Sequence, residues 1–229
     1  MSSLTPSPEA MDRVAVEALG RVESGMKLGL GTGRAAEAFI RRLGAKVKEG
    51  FEVLGVTTSE RSTKLAQELG IPLATLAEVD HLDIAFDGAD EVTPDLELTK
   101  GLGGALLRER VVASCAERFV ILVTPDKRVD ALATRCPIPI EVVPFAEPVV
   151  ARRLRALGGE PTLRLAGEAP YCTDNQNLIL DTRFAPLADP KGTDAAIRRI
   201  PGVVDTGLFL GMASEVLVGE SDRVHLLQR

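Results

Sequence analysis

The chain is short of aromatic side chains: it has no tryptophan, one tyrosine and 3% aromatics in total. It is also short of cysteine, with three in 229 residues. Cys115, Cys136 and Cys172 share no metal-like spacing, and an odd number argues against a disulfide framework, so a reducing cytoplasm suits them. No apolar run approaches the roughly 18 to 20 residues of a membrane span. Met1 to Pro8 is polar and proline-punctuated rather than basic and then apolar, so it reads as a short tail and not a signal peptide. Positive charge is in deficit, with 27 Lys and Arg against 33 Asp and Glu and a net charge of -6. That balance gives nucleic acid, which needs a basic face, little reason to bind, and no such partner is expected. It does not exclude a local basic pocket for a phosphate.

What is present is enough for a core: 45% of residues are apolar and 26% charged. The length suits one substantial domain, or a main domain carrying a smaller one. Over the first two thirds, short apolar runs alternate with helix-like stretches, as in a parallel sheet with crossover helices. Met11, Val14, Ala15, Ala18 and Val22 recur at helical intervals over Glu9 to Val22. Met26 to Leu30 is a buried-strand candidate ending in Gly31-Thr32-Gly33, and a helix follows from Arg34 to Leu43. Phe51 to Val56 is a strand, after which Thr57-Thr58-Ser59 caps a helix running to Leu69. His81 to Phe86 is a third strand, a glycine-rich turn at 101 to 104 opens a helix to Glu117, and Phe119 to Val123 is a fourth strand. After Asp130 the texture changes. Cys136-Pro137-Ile138-Pro139 and Val143-Pro144 punctuate the chain, and proline is awkward inside a central strand. A helix over Pro148 to Leu157, strands at Thr162 to Leu165 and Asn177 to Leu180, and a helix over Thr193 to Arg199 suggest a small α+β unit. The runs Val203 to Leu210, Glu215 to Val218 and Val224 to Leu227 are β-rich. No internal repeat or low-complexity segment is visible.

Four polar or glycine-rich loops follow strand candidates and are expected to gather at one sheet edge, where open α/β sheets bind ligands. Gly31-Thr32-Gly33-Arg34-Ala35-Ala36 lets backbone amides approach an anion at a helix start, with Arg34 as a charged fork. The same residues satisfy a loose dinucleotide fingerprint, or form a purely structural turn. The dinucleotide reading wants an acid at the end of the next strand, where this chain has Thr57-Thr58-Ser59. Asp87-Gly88-Ala89-Asp90-Glu91 is compatible with a solvated turn, with sugar-hydroxyl contacts and proton shuttling, or with a divalent metal. The metal is the least attractive, because the only nearby histidine, His81, lies at the far end of the same strand. In Lys100-Gly101-Leu102-Gly103-Gly104 the glycine amides could face developing negative charge, with Lys100 at their entrance. Beyond it Glu109 falls on or beside the apolar stripe Ala105, Leu106 and Val112. A carboxylate there is either paired with Arg108 or Arg110 or turned to a cleft. Lys127, after Asp126, is a strand-tip lysine whose ordinary role is a solvated turn cation.

Taken in order, these segments resemble the A-type ribose-5-phosphate isomerase family over nearly the whole chain. The resemblance rests on Gly31-Thr32-Gly33, Asp87-Gly88-Ala89-Asp90-Glu91, the run from Lys100 to Arg108-Glu109, and Asp126-x-x-Val129-Asp130. It continues through Glu141-Val142-Val143-Pro144, Leu157-Gly158-Gly159, Thr173-Asp174-x-x-Asn177-x-Ile179-x-Asp181 and Ile200-Pro201-Gly202-Val203-Val204. It implies an α/β fold: an open, mostly parallel Rossmann-like sheet flanked by helices, with a smaller α+β, ferredoxin-like domain. The main domain is expected over 1–130 and 205–229, the smaller over 131–204. It further implies a metal-free aldose–ketose isomerase with no cofactor, a small sugar phosphate as the only ligand, no membrane partner, and a homodimer or tetramer. Carried over by position, Glu109 matches the proton-transferring base, working through a cis-enediol. Asp87 and Asp90, with Gly88 and Ala89 between them, match the loop that handles ring opening and sugar hydroxyls. Lys100, Gly101, Leu102 and Gly103 match the loop at the reacting oxygens. Thr32, Gly33, Arg34 and Ala35 match the phosphate loop, and Lys127 a further substrate contact. Three positions depart from the family: Arg34-Ala35 stands where Ser-Thr is common, Leu102 where glycine is usual, and Met11-Asp12-Arg13 where a phosphate-holding lysine is often found. Two other readings compete with this one. A non-catalytic sugar-phosphate sensor would normally carry a DNA-binding module, whereas only about eight residues precede the first helix. An aminosugar-phosphate deaminase would bring a catalytic histidine, yet His81 and His225 sit in strand-like runs.

Overall fold

The computed structural model describes residues 8–228, so the tail read over Met1 to Pro8 lies, apart from Pro8, outside the described residues. In chain order the elements begin with α1 (Pro8–Leu19), β1 (Lys27–Leu30), α2 (Arg34–Lys48), β2 (Leu54–Thr57), α3 (Glu60–Glu68) and β3 (Leu82–Gly88). Two short strands, β4 (Glu91–Val92) and β5 (Leu98–Thr99), precede α4 (Leu106–Ser114) and β6 (Ala116–Val123). Next come β7 (Ile138–Val142), α5 (Glu147–Ala156), β8 (Glu160–Leu163), β9 (Leu165–Ala166), β10 (Ala169–Pro170), β11 (Leu178–Arg183) and α6 (Pro190–Arg198). They are followed by β12 (Val203–Thr206), β13 (Leu208–Phe209), β14 (Glu215–Gly219) and β15 (Val224–Gln228). The described residues form two compact units: 8–89, 108–128 and 212–228 make the first, 90–107 and 129–211 the second.

The first unit is built on a six-stranded sheet of order β15-β14-β6-β3-β1-β2. All neighbours pair parallel except β15, which closes one edge antiparallel to β14. The chain goes outward from β1 to β2 and then returns to place β3 on the other side of β1. That reversal is the switch point at which such sheets open a crevice beyond their carboxyl ends. α1 turns Ala10, Val14, Ala15 and Ala18 inward, and α2 turns Ala36, Phe39, Ile40 and Leu43 inward. The rings of Phe39 and Phe86 pack with centroids 4.2 Å apart, fixing α2 against β3. Each such large side chain removed from water contributes about 1.5–3 kcal/mol, so burial rather than local propensity places these helices. α2 runs past the expected end at Leu43 to Lys48, with Lys46 and Lys48 complementing the dipole in its last turn. α4 stops at Ser114 rather than Glu117, because sheet pairing takes over: Leu82 donates to the Cys115 carbonyl at 2.9 Å and pairs with Ala116.

The second unit has a four-stranded antiparallel sheet of order β12-β7-β11-β8. With α5 and α6 the path is β7-α5-β8-β11-α6-β12, the split βαβ arrangement of ferredoxin-like folds. The strand β7 holds Pro139 in the interior of this sheet, against the expectation drawn from its prolines. The Pro139 carbonyl accepts from Gly207 at 2.7 Å, so the position that lacks an N–H faces the Gly207 side, beyond the last paired residue of β12. The side with a full ladder, toward β11, is unaffected. A three-stranded antiparallel sheet, β13-β5-β4, was not anticipated. Its pairing gathers residues 90–107 and 205–211 into the second unit, so the boundaries differ there from a division at 130/131 and 204/205. The single run read over Val203 to Leu210 is split between β12 and β13.

Candidate active site

In the first unit, three of the four loops stand at the carboxyl edge of the main sheet: Gly31–Ala35 after β1, Asp87–Ala89 after β3, and the turn Pro125–Lys127 after β6. The fourth does not belong to this sheet, since Lys100–Gly104 follows β5 of the three-stranded sheet in the second unit. That corrects the expectation of four successive strands of one sheet.

Asp87 is the penultimate residue of β3, with only 1% of its surface exposed. Its Oδ1 accepts the Thr32 amide at 3.0 Å and the Gly88 amide at 2.7 Å, tying the two loops across the switch point. Gly31 is required by that approach. A Cβ there would stand 2.3 Å from Asp87 Cγ and Oδ1 and 2.6 Å from the Phe86 carbonyl oxygen. The Thr32 hydroxyl lies 2.8 Å from that of Thr58, 2.7 Å from Ser59 and 3.3 Å from Ser62. Ser62 in turn donates to the Gly31 carbonyl at 2.6 Å. These three hydroxyls brace the glycine turn. The sequence flagged Thr58 and Ser59 only as a helix cap, which Ser59 does form by accepting the Ser62 amide. Gly33 is the N-cap of α2 and provides no side-chain cap bond, which leaves the first-turn amides for another acceptor. Arg34 opens α2 and is exposed, while Ala35 and Lys127 are partly buried.

Glu109 sits in the first turn of α4 with 3% exposure. It lines one narrow pocket with Gly31, Thr58, Asp87 and Val112. Of its neighbouring arginines, Arg110 sends Nη1 to the Met212 sulfur at 3.3 Å. Two buried carboxylates and Gly31 of the glycine turn therefore line one recess, where burial lowers the effective dielectric around their charge.

In the second unit, Asp90 Oδ2 accepts the Leu102 amide at 3.0 Å. Lys100 is 2% exposed; its backbone N–H bonds the Gly207 carbonyl at 2.8 Å and its ammonium lies 5.4 Å from the Phe209 ring centre. Gly103 and Leu102 are exposed and Gly101 buried. The carbonyls of Gly101 and Leu102 both accept from Arg164, a residue that no sequence motif singles out.

The dinucleotide reading fails on the absent acid: the hydroxyls after β2 are occupied around Thr32. His81 pairs with Asp80 at 2.8 Å at the entry to β3, the opposite end of the strand from Asp87, and His225 pairs with Glu220 at 3.2 Å. Among the described residues no group of three His, Cys, Asp or Glu is placed to hold a metal ion, and no helix is long and apolar enough to cross a membrane.

Fold and recess together define an α/β protein with a glycine turn and an uncapped helix start at the switch point and a buried acid beside them. Residues 54–223 match the family Ribose 5-phosphate isomerase A (phosphoriboisomerase A). Ribose-5-phosphate isomerase A of Roseiflexus castenholzii is 53% identical over 215 residues, covering 93% of this chain and 92% of that protein. The enzyme of the same name from Thermomicrobium roseum is 48% identical, covering 96% and 94%. The solved ribose 5-phosphate isomerase A of Methanocaldococcus jannaschii superposes with a TM-score of 0.92 at 42% identity, covering 96% of this chain and 99% of its own. A D-ribose-5-phosphate isomerase solved in complex with phospho-erythronic acid gives 0.94 at 40% identity, covering 96% and 98%. The chain belongs to the ribose 5-phosphate isomerase A family.

Proposed function

We propose that this chain interconverts ribose 5-phosphate and ribulose 5-phosphate through a cis-enediol, with Glu109 carrying the proton. It is an aldose–ketose isomerase of its family, and the alternatives of a sensor or a deaminase are not favoured. The observation that carries the assignment of Glu109 is its place, buried on a rigid helix and lining one recess with Asp87 and the Gly31 turn.

The reaction removes a proton from the carbon beside a carbonyl and returns it to the neighbouring carbon. One carboxylate can do both across a planar enediol, and such a base contributes roughly 10² to 10⁴ in rate. Asp87, held by two amides, is assigned to furanose ring opening, with the Gly88 and Ala89 backbone completing its loop. Asp90 is assigned to sugar hydroxyls. Lys100 and the amides of Gly101 and Gly103 are assigned to the enediolate oxygens, where one lost donor costs about 10² to 10³. The Leu102 amide is engaged by Asp90, so Leu102 serves that carboxylate rather than the substrate oxygen. The first-turn amides from Gly33 to Ala35, the Arg34 guanidinium and Lys127 are assigned to the phosphate, with Thr32 bracing the turn. Binding energy at the phosphate orients the reacting carbons. The ligand of the related complex, a phosphorylated sugar acid, is of the same chemical class.

The proposal extends to a cytoplasmic location, which three cysteines outside any disulfide suit, and to a homodimer or tetramer. Phe145, 95% exposed, with exposed Val143 and Val149 beside it in sequence, is the kind of apolar surface a second copy covers. Sedimentation would report that state directly. The test of activity is incubation with ribose 5-phosphate in excess chelator, followed by detection of ribulose 5-phosphate. Full turnover is expected; no turnover overturns the assignment, and turnover lost to the chelator overturns the metal-free chemistry.

A further inference from the structure

The shape of the loop Lys100–Gly104 depends on a side chain far from it in sequence. Arg164 follows β8, and its backbone is pinned on both sides: its N–H bonds the Ile179 carbonyl and its carbonyl accepts from Tyr171, each at 2.9 Å. Its side chain is 12% exposed. Nε donates to Asp181 Oδ2 at 2.8 Å while Nη2 donates to Oδ1, a two-pronged grip on a carboxylate fixed within β11. Nη1 donates to two carbonyls at once, Gly101 and Leu102, both at 3.1 Å. Tyr171 packs its ring 5.8 Å from the guanidinium carbon. A surface ion pair fixes little, but a guanidinium fork locked by a carboxylate holds its remaining donors in one geometry.

That geometry sets two peptide planes. In a trans peptide the C=O and the following N–H point in opposite directions across a rigid plane. With the Gly101 carbonyl drawn to Arg164, the Leu102 N–H must point away, and it meets Asp90 Oδ2 at 3.0 Å. With the Leu102 carbonyl drawn the same way, the Gly103 N–H must also point away, and Gly103 is exposed. The turn closes through the Gly104 amide on the Gly101 carbonyl at 3.0 Å. Gly104 has φ +85° and stands against Tyr171, whose hydroxyl oxygen would lie 2.2 Å from an added Cβ.

We infer that Arg164, locked by Asp181, is a positioning residue of the isomerase: it orients the 101–102 and 102–103 peptide planes, aiming one amide at Asp90 and presenting the Gly103 amide to a substrate oxygen. This rests on the roles proposed above for Asp90 and Gly103. Arg164→Ala is expected to lower kcat 10- to 100-fold while KM for ribose 5-phosphate changes less than threefold, since the phosphate contacts are elsewhere in the chain. The magnitude lies at and below the loss of one oxyanion donor, about 10² to 10³. Arg164→Lys keeps charge and stem but cannot hold Asp181 and two carbonyls together, so it is expected to lose nearly as much. Guanidinium ion at tens of millimolar should partly restore Arg164→Ala and not Arg164→Lys. Amide hydrogen exchange at Leu102, whose N–H is held by Asp90, should accelerate in both when read by NMR. Should Arg164→Ala fail to fold, the kcat of Arg164→Lys decides. A folded Arg164→Lys with kcat within twofold of the unsubstituted chain, or a variant that loses only thermal stability, overturns the positioning role and leaves the isomerase assignment standing. An unsubstituted chain inert toward ribose 5-phosphate overturns that assignment and this role with it.

Discussion

Replacing Gly31 by alanine tests whether the glycine turn and Asp87 are one mechanical unit. The backbone there does not need a positive φ, and in a compatible conformation Gly→Ala normally stabilises by about 0.4–1 kcal/mol through the unfolded chain. Here the new methyl would lie 2.3 Å from Asp87 Cγ and Oδ1, against an ordinary separation of about 3.5–4.0 Å. Asp87 can swing aside, but this breaks its bond from the Thr32 amide, and a hydrogen bond to a charged group contributes about 1.5–3 kcal/mol. The contact of 2.6 Å to the Phe86 carbonyl cannot be relieved by any rotamer, because it belongs to an interior strand of the sheet. Overpacking of this kind costs about 1–3 kcal/mol. Strain outweighs the entropic gain, leaving a net loss of roughly 2–4 kcal/mol, or about 5–15 °C in Tm for a protein of this size. A displacement near 1 Å of a reacting group costs about 10² in rate, so kcat should fall by that order. Thermal unfolding followed by circular dichroism, and initial rates of ribulose 5-phosphate formation, measure both. An alanine variant with unchanged Tm and kcat within threefold would refute the coupling.

Glu109→Gln should nearly abolish turnover, by about 10² to 10⁴, with substrate binding within a few-fold; more than a tenth of the rate remaining would remove Glu109 from the base role. Arg34→Ala should mainly raise KM, since Arg34 is exposed at the start of α2 and away from the recess that holds Glu109; an unchanged KM would assign the phosphate to other groups. Glu141 is fully buried, and its Oε1 accepts from Thr173 Oγ1, Asn175 Nδ2 and Asn177 Nδ2 at 2.9, 3.2 and 2.9 Å. Glu141→Ala strands three donors and should cost roughly 3 kcal/mol or more; a shift in denaturant midpoint worth less than 1 kcal/mol would show that the donors find other partners.

Periodicity made the first unit readable because its signals are local. The inward residues of α1 and α2 recur at helical spacing, and β1, β3 and β6 are short apolar runs that end in glycine or polar loops. Glu109 stood out for the same reason, as a charge beside the stripe Ala105, Leu106 and Val112. What could not be read depends on partners distant in sequence. Strands of two residues, such as β4 and β5, carry no period, and the third strand of their sheet, β13, comes more than a hundred residues on. Pro139 looked like a strand breaker because sequence does not say which side of a strand its missing N–H will face. Arg164 has a bland neighbourhood in sequence, and its meaning comes from Asp181 in the neighbouring strand and two carbonyls some sixty positions earlier.

The departures at the phosphate loop follow from how the donors around Thr32 are already engaged. Its amide is held by Asp87 and its hydroxyl by Thr58, Ser59 and Ser62, so Thr32 shapes the turn rather than reaching outward. The stretch that replaces the family's lysine is engaged as well: Arg13 donates to the Ser221 carbonyl at 2.9 Å, and Asp12 is paired with Arg42. Side chains cap α3 (Ser59) and α6 (Asp189), whereas α2 and α5 have no side-chain cap, and of these two only α2 starts at the carboxyl edge of the main sheet beside Asp87. Fifteen residues of aligned peptide dipoles thus point their amino end, with free first-turn amides, at the crevice beside Asp87. In the proposed reading the phosphate takes the place of the missing cap. Two neutral hydroxyl donors, each worth about 0.5–1.5 kcal/mol, are then offset by one guanidinium whose charged bonds are worth about 1.5–3. On that proposal Arg34-Ala35 is a different solution to the same electrostatic problem, one that moves the burden from side-chain hydroxyls to the helix terminus and a single cation.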